Sequence, residues 1–225
     1  MEEYVIKPIA RLRCDFDGKF GIPRQAGIVE ALEGRIVFEP DYRRREALRG
    51  LEQFSHLWLI WQFSEAVRED WSPTVRPPRL GGNTRLGVFA TRSPFRPNAL
   101  GLSCVRLLGI EDDPARGAVI RVGGADLMDG TPIYDIKPYL PYADCKPDAL
   151  GGFAPDAGAT LHVVFAPGTE ALIPEEKRAA LRGVLANDPR PRYQHDPDRV
   201  YGLSFAGKNV KFRVDGDRLT VIAVE

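Results

Sequence analysis

Six arginines crowd into one short part of this sequence with no acidic residue among them. They lie between Trp71 and Ile110, although the whole chain of 225 residues balances 31 basic against 31 acidic side chains. They are Arg76, Arg79, Arg85, Arg92, Arg96 and Arg106. Guanidinium groups bind carboxylate and phosphate, often through paired hydrogen bonds, so the segment predicts an anionic ligand. The alternative is a solvated surface whose acidic partners come from elsewhere in the fold.

Carboxylates gather in a second cluster, the stretch DLMDGTPIYDIKPYLPYAD at residues 126–144. Asp126, Asp129 and Asp135 all lie in this stretch, where Gly130 permits a tight turn. Such carboxylates can accept hydrogen bonds from an amine, a ribose or a nucleobase, or act as a general base. Asp-Gly pairs also form turns for local reasons, because the aspartate side chain bonds its own backbone. The cluster alone leaves both interpretations open.

Several common catalytic motifs are missing. No GxGxxG follows a predicted strand and no GxxxxGK[ST] occurs, so neither a nicotinamide cofactor nor a P-loop nucleotide is indicated. His56, His162 and His195 lack the spacing of a metal site, and there is no GxSxG nucleophile motif. The residues alone indicate an anion-recruiting protein, with an enzyme and a binding module equally open.

Composition argues against some classes of protein. Zero formal net charge is unlike the overall basic surface of many nucleic-acid-binding proteins, so a preference for anions has to be local. Cys14, Cys104 and Cys145 are far apart, which argues against a disulfide framework or a structural zinc site. No apolar run approaches the roughly 20 residues of a membrane span, and the N-terminus lacks the apolar core of a signal peptide. We therefore expect a cytoplasmic protein without a bound metal.

Hydrophobic patterning predicts a β-rich N-terminal half. Strands are expected in YVIKPIARLRCDF, HLWLIWQF, LGVFAT, GLSCVRLLGI and AVIRVGGAD. KFGIPRQAG has the glycines and proline of a loop, and DYRRREALRGLEQF has the spacing of a short amphipathic helix that ends near Gly50. Several short strands with one helix favour a β-barrel or an α+β domain over alternating βαβ units.

A second domain is predicted after residue 145, where CKPDALGGFAPDAGA has the composition of a linker. PEEKRAALRGVLAND predicts a helix, with Pro174 and two acids at its start. VKFRVDGDRLTVIAV alternates apolar and polar residues around Asp215-Gly216 and predicts a β-hairpin. We therefore predict two domains, residues 1–145 and residues 146–225, of which the smaller is α+β.

Five stretches of the chain resemble, in order, the motifs of the TrmO family, also called TsaA-like or YaeB-like proteins. They are KFGIPRQAG, LRGLEQFSHLWLIWQF, VRPPRLGGNTRLGVFATRSPFRPNALGLS, DLMDGTPIYDIKPYLPYAD and NDPRPRY. The resemblance covers nearly the whole chain. It implies an S-adenosylmethionine-dependent tRNA methyltransferase that modifies N6 of N6-threonylcarbamoyladenosine at position 37. It also implies an N-terminal β-barrel in place of a Rossmann-like fold, and a homodimer that completes the cofactor site.

The resemblance further implies which residues bind. The cofactor contacts would be Pro23, Arg24, Gln25, Ser64, Glu65, Arg92, Leu102, Leu127, Met128, Asp129 and Gly130. The contacts with substrate or tRNA would be Arg76, Arg79, Arg96, Asn98, Lys137 and Tyr139. Additional RNA contacts are expected from the C-terminal domain.

Two chemical roles follow for single side chains. The target nitrogen belongs to a urea-like group and is a poor nucleophile, so a carboxylate that accepts its proton would help, and we predict Asp129 or Asp135. The threonyl carboxylate needs cationic donors, a role open to Arg96 or Lys137. The alternatives are a non-catalytic RNA-binding adaptor with the same fold and a methyltransferase for another acceptor.

Overall fold

The computed structural model describes residues 3–66, 70–191, 194 and 196–225. The prediction of a mostly β protein with some helix is confirmed. The strands of the described ranges are β1 (Ala10–Arg13), β2 (Glu33–Phe38), β3 (His56–Gln62), β4 (Thr74–Val75), β5 (Leu86–Gly87), β6 (Leu100–Asp113), β7 (Gly117–Gly123), β8 (Pro132–Pro138), β9 (His162–Phe165), β10 (Tyr201–Phe205), β11 (Lys208–Asp215) and β12 (Arg218–Val224). The α-helices of these ranges are α1 (Pro141–Asp144) and α2 (Glu175–Ala186). No helix in the described part of the chain is long and apolar enough to cross a membrane.

Six strands of the N-terminal half close into a ring in the order β1-β2-β7-β6-β3-β8, and β8 pairs back with β1. Every pair of neighbours is antiparallel. Alternate side chains of β3, namely Leu57, Leu59 and Trp61, point into the ring, as the period of a strand requires. They meet Leu12 of β1 and Ile133 of β8 in the first hydrophobic core, hereafter the ring core.

The C-terminal half forms a four-stranded sheet in the order β10-β11-β12-β9, with β9 parallel to β12. The predicted hairpin is present as β11 and β12, and Gly216 at its tip adopts a left-handed φ of 57° that favours glycine. The predicted helix is α2, whose residues Leu181, Val184 and Leu185 are buried against this sheet. This second hydrophobic core is hereafter the sheet core.

The sheet core also contains residues from the N-terminal half. Phe16, Val29 and Leu32 are buried in it, and the Phe16 ring meets the edge of Phe205 with centroids 5.3 Å apart. Ala26, from the same segment, packs against the ring core instead. Segment 14–32 therefore contacts both cores. A division between residues 145 and 146 separates the strands into two sets, but the N-terminal half contributes side chains to the sheet core as well.

Two sequence-based expectations are corrected. The helix expected in DYRRREALRGLEQF is replaced by three 3-10 turns, Pro40–Tyr42, Arg45–Leu48 and Leu51–Gln53. Gly50 has a left-handed φ of 86°, and Leu48 is the single buried residue of these turns, so no apolar face stabilises a longer helix. The strand expected in LGVFAT is limited to β5 and continues as the 3-10 turn Val88–Ala90, which exposes Phe89.

Candidate active site

Two cavities adjoin at the end of β3. The smaller has a volume of about 250 Å³ and the larger about 450 Å³. They share the lining residues Gln62, Ala66 and Pro94. Gln62 is the last residue of β3, whose alternation turns Trp61 inward and Gln62 outward. The chain therefore places two chambers on either side of one short wall.

The smaller cavity collects four of the residues predicted to bind the cofactor. Its lining residues are Lys19, Ile22, Trp61, Gln62, Phe63, Ser64, Glu65, Ala66, Pro94, Asp126, Leu127, Met128 and Thr131. Ser64, Glu65, Leu127 and Met128 were predicted from the sequence. The wall is largely apolar, which suits the apolar parts of a small ligand.

Asp126 is the partly buried carboxylate of this cavity. Its Oδ1 accepts a hydrogen bond of 2.5 Å from Ser103 Oγ, which in turn accepts one of 2.9 Å from Trp61 Nε1. Burial raises the pKa of Asp126, and the bonds from Ser103 and the Ala26 backbone offset only part of this effect. A cation that enters the cavity would therefore stabilise the ionised form of this carboxylate.

The loop at residues 23–25 lies beside Asp126. Arg92 donates a hydrogen bond to Gln25 Oε1, and the positive charge of Arg92 acts to lower the pKa of Asp126. Pro23 is buried, whereas Arg24 is exposed and its backbone oxygen accepts a hydrogen bond from Gln25 Nε2. The structure therefore brings this loop and Arg92 together around Asp126, as expected for parts of one site.

Asp129 and Asp135, the two carboxylates predicted to accept a proton, line neither cavity. Asp129 accepts hydrogen bonds of 3.0 Å from Arg13 Nη1 and from the Cys14 backbone. Asp135 forms an ion pair of 2.8 Å with Lys137 Nζ. The structure thus gives Asp129 a role in holding the turn after Asp126, and Asp126 is the aspartate of this stretch that lines the smaller cavity. The role of Asp129 or Asp135 as proton acceptor stays a prediction.

The turn after Asp126 is held by its backbone as well. The Gly130 N–H donates to the Leu12 carbonyl over 2.8 Å, and the Gly130 carbonyl accepts from Arg11 Nη1 over 3.2 Å. Gly130 has a left-handed φ of 78°, which explains the glycine of the DLMDG stretch. Both backbone groups of Gly130 are therefore used within the fold.

The larger cavity collects Arg96 and Asn98, both predicted to contact substrate. Its lining residues are Tyr4, Ile6, Gln62, Ala66, Asp70, Pro94, Phe95, Arg96, Pro97, Asn98, Ala99, Leu100 and Tyr134. The Tyr134 hydroxyl donates a hydrogen bond of 2.6 Å to Gln62 Oε1 and so fixes the shared wall. Arg96 Nη2 donates to the carbonyls of Val88 and Thr91, over 3.3 and 3.1 Å.

The arginine-rich segment keeps most of its charge free of carboxylates. Among the residues that the structure describes, Arg79 is the one of the six with an acidic partner within 4.0 Å, Asp156, at 2.6 Å. Arg85 Nη1 instead donates to Thr74 Oγ1 over 3.0 Å. Arg79 is therefore the one arginine of the six, in the described ranges, whose charge is neutralised by an acidic partner from elsewhere in the fold. Arg76 and Arg79 line neither cavity.

Arg92 and the loop 23–25 line neither cavity, and three further predicted residues lie away from both as well. Leu102 is exposed on β6, where it pairs with Ile60, and Lys137 is exposed on β8. The ring of Tyr139 lies 5.9 Å from that of Trp58, between centroids. These residues belong to the outer face of the β6-β3-β8 part of the ring.

Sequence reasoning missed Trp61, Ser103, Gln62 and Tyr134. A serine at an inward position of an apolar strand was the available signal for Ser103, because a buried hydroxyl needs a partner. Which strand supplies that partner depends on the β3-β6 pairing, which local patterning does not reveal. In NDPRPRY and beyond, Arg192, Tyr193 and His195 lie outside the described residues. Among the described ones, no group of three or more His, Cys, Asp or Glu is placed to hold a metal.

Comparison with known proteins gives matches over the whole chain. The model of the tRNA-methyltransferase O N-terminal domain matches residues 11–145, and that of the TrmO C-terminal domain matches residues 158–225. The tRNA (adenine(37)-N6)-methyltransferase of Escherichia coli K12 is 41% identical over 234 residues, covering 100% of this chain and 99% of that protein. A putative S-adenosylmethionine-dependent methyltransferase RcsF of Pseudomonas aeruginosa is 42% identical over 206 residues, covering 88% and 87%.

A solved structure agrees with these sequence matches. The crystal structure of TrmO from Pseudomonas aeruginosa has a TM-score of 0.81 at 34% identity, with 100% of both chains covered. Two family models in the expected order, a full-length relative and a full-length structural match lead to the same assignment. This chain belongs to the tRNA-methyltransferase O (TrmO) family.

Proposed function

We propose that this chain is an S-adenosylmethionine-dependent tRNA methyltransferase that acts on N6 of adenosine 37, and that its substrate nucleoside is N6-threonylcarbamoyladenosine. The observation that carries the proposal is the pair of cavities on either side of the wall formed by Gln62, Ala66 and Pro94. Methyl transfer between two bound molecules needs this kind of adjacency, because positioning supplies much of the rate enhancement. The printed names of the relatives from Escherichia coli and Pseudomonas aeruginosa support the reaction and the cofactor.

The smaller cavity fits the cofactor. S-Adenosylmethionine, when bound, supplies a methyl group on a positively charged sulfur, and it also carries an ammonium group. Asp126 is largely desolvated, and its pKa is raised for that reason, so a cationic ligand compensates a charge that the fold leaves partly unpaired. Leu127, Met128 and Ile22 line the cavity and would provide apolar contact, and Glu65, which also lines it, would accept hydrogen bonds from ribose hydroxyls.

Arg92 is the proposed partner of the carboxylate end of the cofactor. Its guanidinium contacts Gln25 and lies close enough to Asp126 to affect its titration, so a cation lies near the anion of the smaller cavity although Arg92 does not line that cavity. An amino acid carries both charges, and this arrangement recognises both. The loop at residues 23–25 then closes the side of the site.

The larger cavity is the proposed pocket for the modified nucleoside. Tyr4 and Tyr134 offer aromatic faces, and Asn98 offers an amide. For the threonyl carboxylate we favour Arg96 over Lys137, because Arg96 lines the cavity and Lys137 is paired with Asp135 outside it. Since Asp129 and Asp135 lie outside both cavities, positioning carries the reaction in this proposal, and neither carboxylate is given a catalytic step.

Assembly and domain roles complete the proposal. The closed ring of residues 1–145 would act as a β-barrel scaffold in place of a Rossmann sheet, and residues 146–225 would add RNA contacts. A homodimer would cover the outer face that carries Trp58, Ile60 and Leu102, because Leu102 is exposed there and is absent from the cavities of its own chain. Each Leu102 would then border the cofactor site of the other protomer. A tRNA-modifying enzyme of this kind would work in the cytoplasm.

One experiment tests the reaction and its substrate together. The protein is incubated with methyl-labelled S-adenosylmethionine and with tRNA that carries or lacks the threonylcarbamoyl group, and the digested nucleosides are identified. We expect label only on the threonylcarbamoyl nucleoside of the modified tRNA. Label on both tRNAs would indicate another acceptor. RNA binding without label on either would favour the adaptor, which gives no reason for a partly buried carboxylate in an apolar cavity.

A further inference from the structure

Two large aromatic side chains are exposed side by side on the arginine-rich segment. Trp71 is 48% exposed and Phe89 is 74% exposed. Their ring centroids lie 6.1 Å apart and their planes differ by 25°, so the two rings lie nearly parallel. Neither residue lines a cavity, and the proposed reaction does not use either of them.

Hydrogen bonds hold the chain segments that display both rings. The Ser72 backbone N–H, next to Trp71, donates to the Phe95 carbonyl over 3.1 Å. Arg96 Nη2 donates to the carbonyl of Val88, next to Phe89, over 3.3 Å. Phe95 and Arg96 both line the larger cavity, so the aromatic pair is tied directly to the rim of that cavity.

Arginines follow Trp71 and surround Phe89 along the chain, while Asp70, which lines the larger cavity, precedes Trp71. Arg85 donates to Thr74 Oγ1, and Thr74 follows Trp71 by three residues, a distance of at most about 11 Å along the chain. The segment from Trp71 to Ile110 contains no acidic residue. Exposed rings beside unpaired guanidinium groups are the combination that binds unpaired nucleotides, because bases stack on the rings and phosphates meet the cations.

We propose that Trp71 and Phe89 form a stacking surface for an unpaired RNA base that neighbours the nucleotide held in the larger cavity. The inference rests on the proposed function, because it takes that cavity as the nucleoside pocket. An acidic or apolar protein partner would be less suited to this place, since it offers either charge or apolar contact but not both. Selection of loop RNA over paired RNA follows, since only unpaired bases have a free face.

The test measures binding, not methyl transfer. The full chain is titrated against a fluorescent anticodon stem-loop RNA and against a blunt duplex with the same stem, for the wild type and for Trp71→Ala and Phe89→Ala. We expect each variant to bind the stem-loop about 5- to 100-fold more weakly, with duplex affinity unchanged. Trp71→Phe and Phe89→Tyr should keep most of the affinity. Tyr42→Ala, which removes an exposed aromatic ring from the turn Pro40–Tyr42, should have no effect.

Loop RNAs with one abasic nucleotide distinguish a lost stacking contact from an unfolded variant. In the wild type, an abasic site next to position 37 should weaken binding, and in Trp71→Ala the same change should add little, because the contact is already lost. Thermal melting and calorimetric affinity for S-adenosylmethionine should match the wild type. Unchanged stem-loop affinity in both alanine variants would overturn the inference, as would equal losses on loop and duplex. The alanine variants could also lose both RNA binding and self-association, the latter measured by sedimentation. That result would assign the rings to a contact with a second copy of the chain and would also overturn the inference.

The outcomes separate this inference from the proposed function. If the wild type does not methylate tRNA but its loop affinity depends on Trp71 and Phe89, the stacking surface stands and the reaction fails. If the wild type methylates tRNA and the alanine variants bind the loop normally, only the stacking surface fails.

Discussion

Gly101 on β6 lies opposite Trp61 on β3 so closely that a Cβ atom at Gly101 would come within 2.3 Å of Trp61 Cε2. Trp61 lines the smaller cavity and donates a hydrogen bond to Ser103. The absence of a side chain at Gly101 therefore allows the Trp61 ring to lie where it forms part of the lining of that cavity. A glycine with ordinary φ inside a strand is unfavourable unless such a close approach requires it.

Gly101→Ala should therefore damage both stability and the site. We expect the free energy of unfolding to fall by about 1–3 kcal/mol, because the Trp61 ring is forced from its place. Calorimetry should show weaker binding of S-adenosylmethionine. Gly87→Ala is the matched control, since a Cβ there meets nothing within 4 Å. Adding Trp61→Phe should relieve the clash, and failure of this double variant to regain stability would contradict the argument.

Asp126→Asn should weaken cofactor binding without unfolding the protein. The amide still accepts from Ser103 but has no charge for a cationic ligand, so affinity for S-adenosylmethionine should fall by about 10- to 100-fold. Thermal melting at neutral pH should show equal or higher stability, because burial disfavours the charged form. Asp112→Asn, at an exposed ion pair with Arg45, serves as the control and should change neither property. Normal affinity in Asp126→Asn would remove Asp126 from the site.

Asp129→Asn should lower the stability slightly and leave the methyl-transfer rate almost unchanged. The change weakens the ion pair with Arg13, which is about half exposed, so we expect a stability loss of at most about 1 kcal/mol. The methyl-transfer rate at saturating substrates should stay within a few-fold of the wild type, because Asp129 lines neither cavity. A rate loss of a hundredfold or more would restore Asp129 as the proton acceptor predicted from the sequence.

Two pH slopes of opposite sign should follow from Asp126. Its pKa is raised in the folded protein, so between the ordinary aspartate value and the raised value the folded state binds more protons than the unfolded one. This group therefore makes the free energy of unfolding fall as pH rises through that window. Cofactor affinity should change in the other direction, because a cation binds the ionised form. Urea unfolding and calorimetry across pH test both slopes, and Asp126→Asn should flatten each.

Salt should weaken tRNA binding in proportion to the number of phosphate contacts. Arg85→Ala should reduce the slope of log affinity against log salt by about one, because its guanidinium has no carboxylate partner in the described ranges. Arg79→Ala is the matched comparison and should leave the slope unchanged, since Asp156 already pairs with it. An affinity that does not vary with salt in the wild type would refute the basic surface.

Patterning predicted the elements whose burial follows a simple period. Strand β3 and helix α2 each bury residues at the spacing of their own structure, and the predicted hairpin turns at Gly216-Asp217, one residue beyond the predicted Asp215-Gly216. The helix predicted in DYRRREALRGLEQF is absent because the spacing suited a helix while the apolar content was too small to stabilise one. Local propensity says little where tertiary packing is weak.

The site was predicted in part for a related reason. The loop 23–25, Arg92 and the residues after Asp126 were predicted from motifs; Arg92 contacts Gln25 and lies near Asp126, while Leu127 and Met128 line the smaller cavity. Their roles in binding stay predictions. The choice among the carboxylates was not available from the sequence. It depends on Arg13 reaching Asp129 and Ser103 reaching Asp126, and both contacts join residues far apart in the chain.

Segment 14–32 gives the two halves of the molecule a common piece of chain. Cutting the protein between residues 145 and 158 would strip the cover from Phe16 and Val29, and the loop that carries Gln25 would lose its support. The N-terminal half therefore shares part of its packing with the C-terminal sheet. Under the proposed function, RNA that strains the C-terminal sheet would act on the loop 23–25 through this shared segment, so RNA and S-adenosylmethionine would each change the affinity for the other.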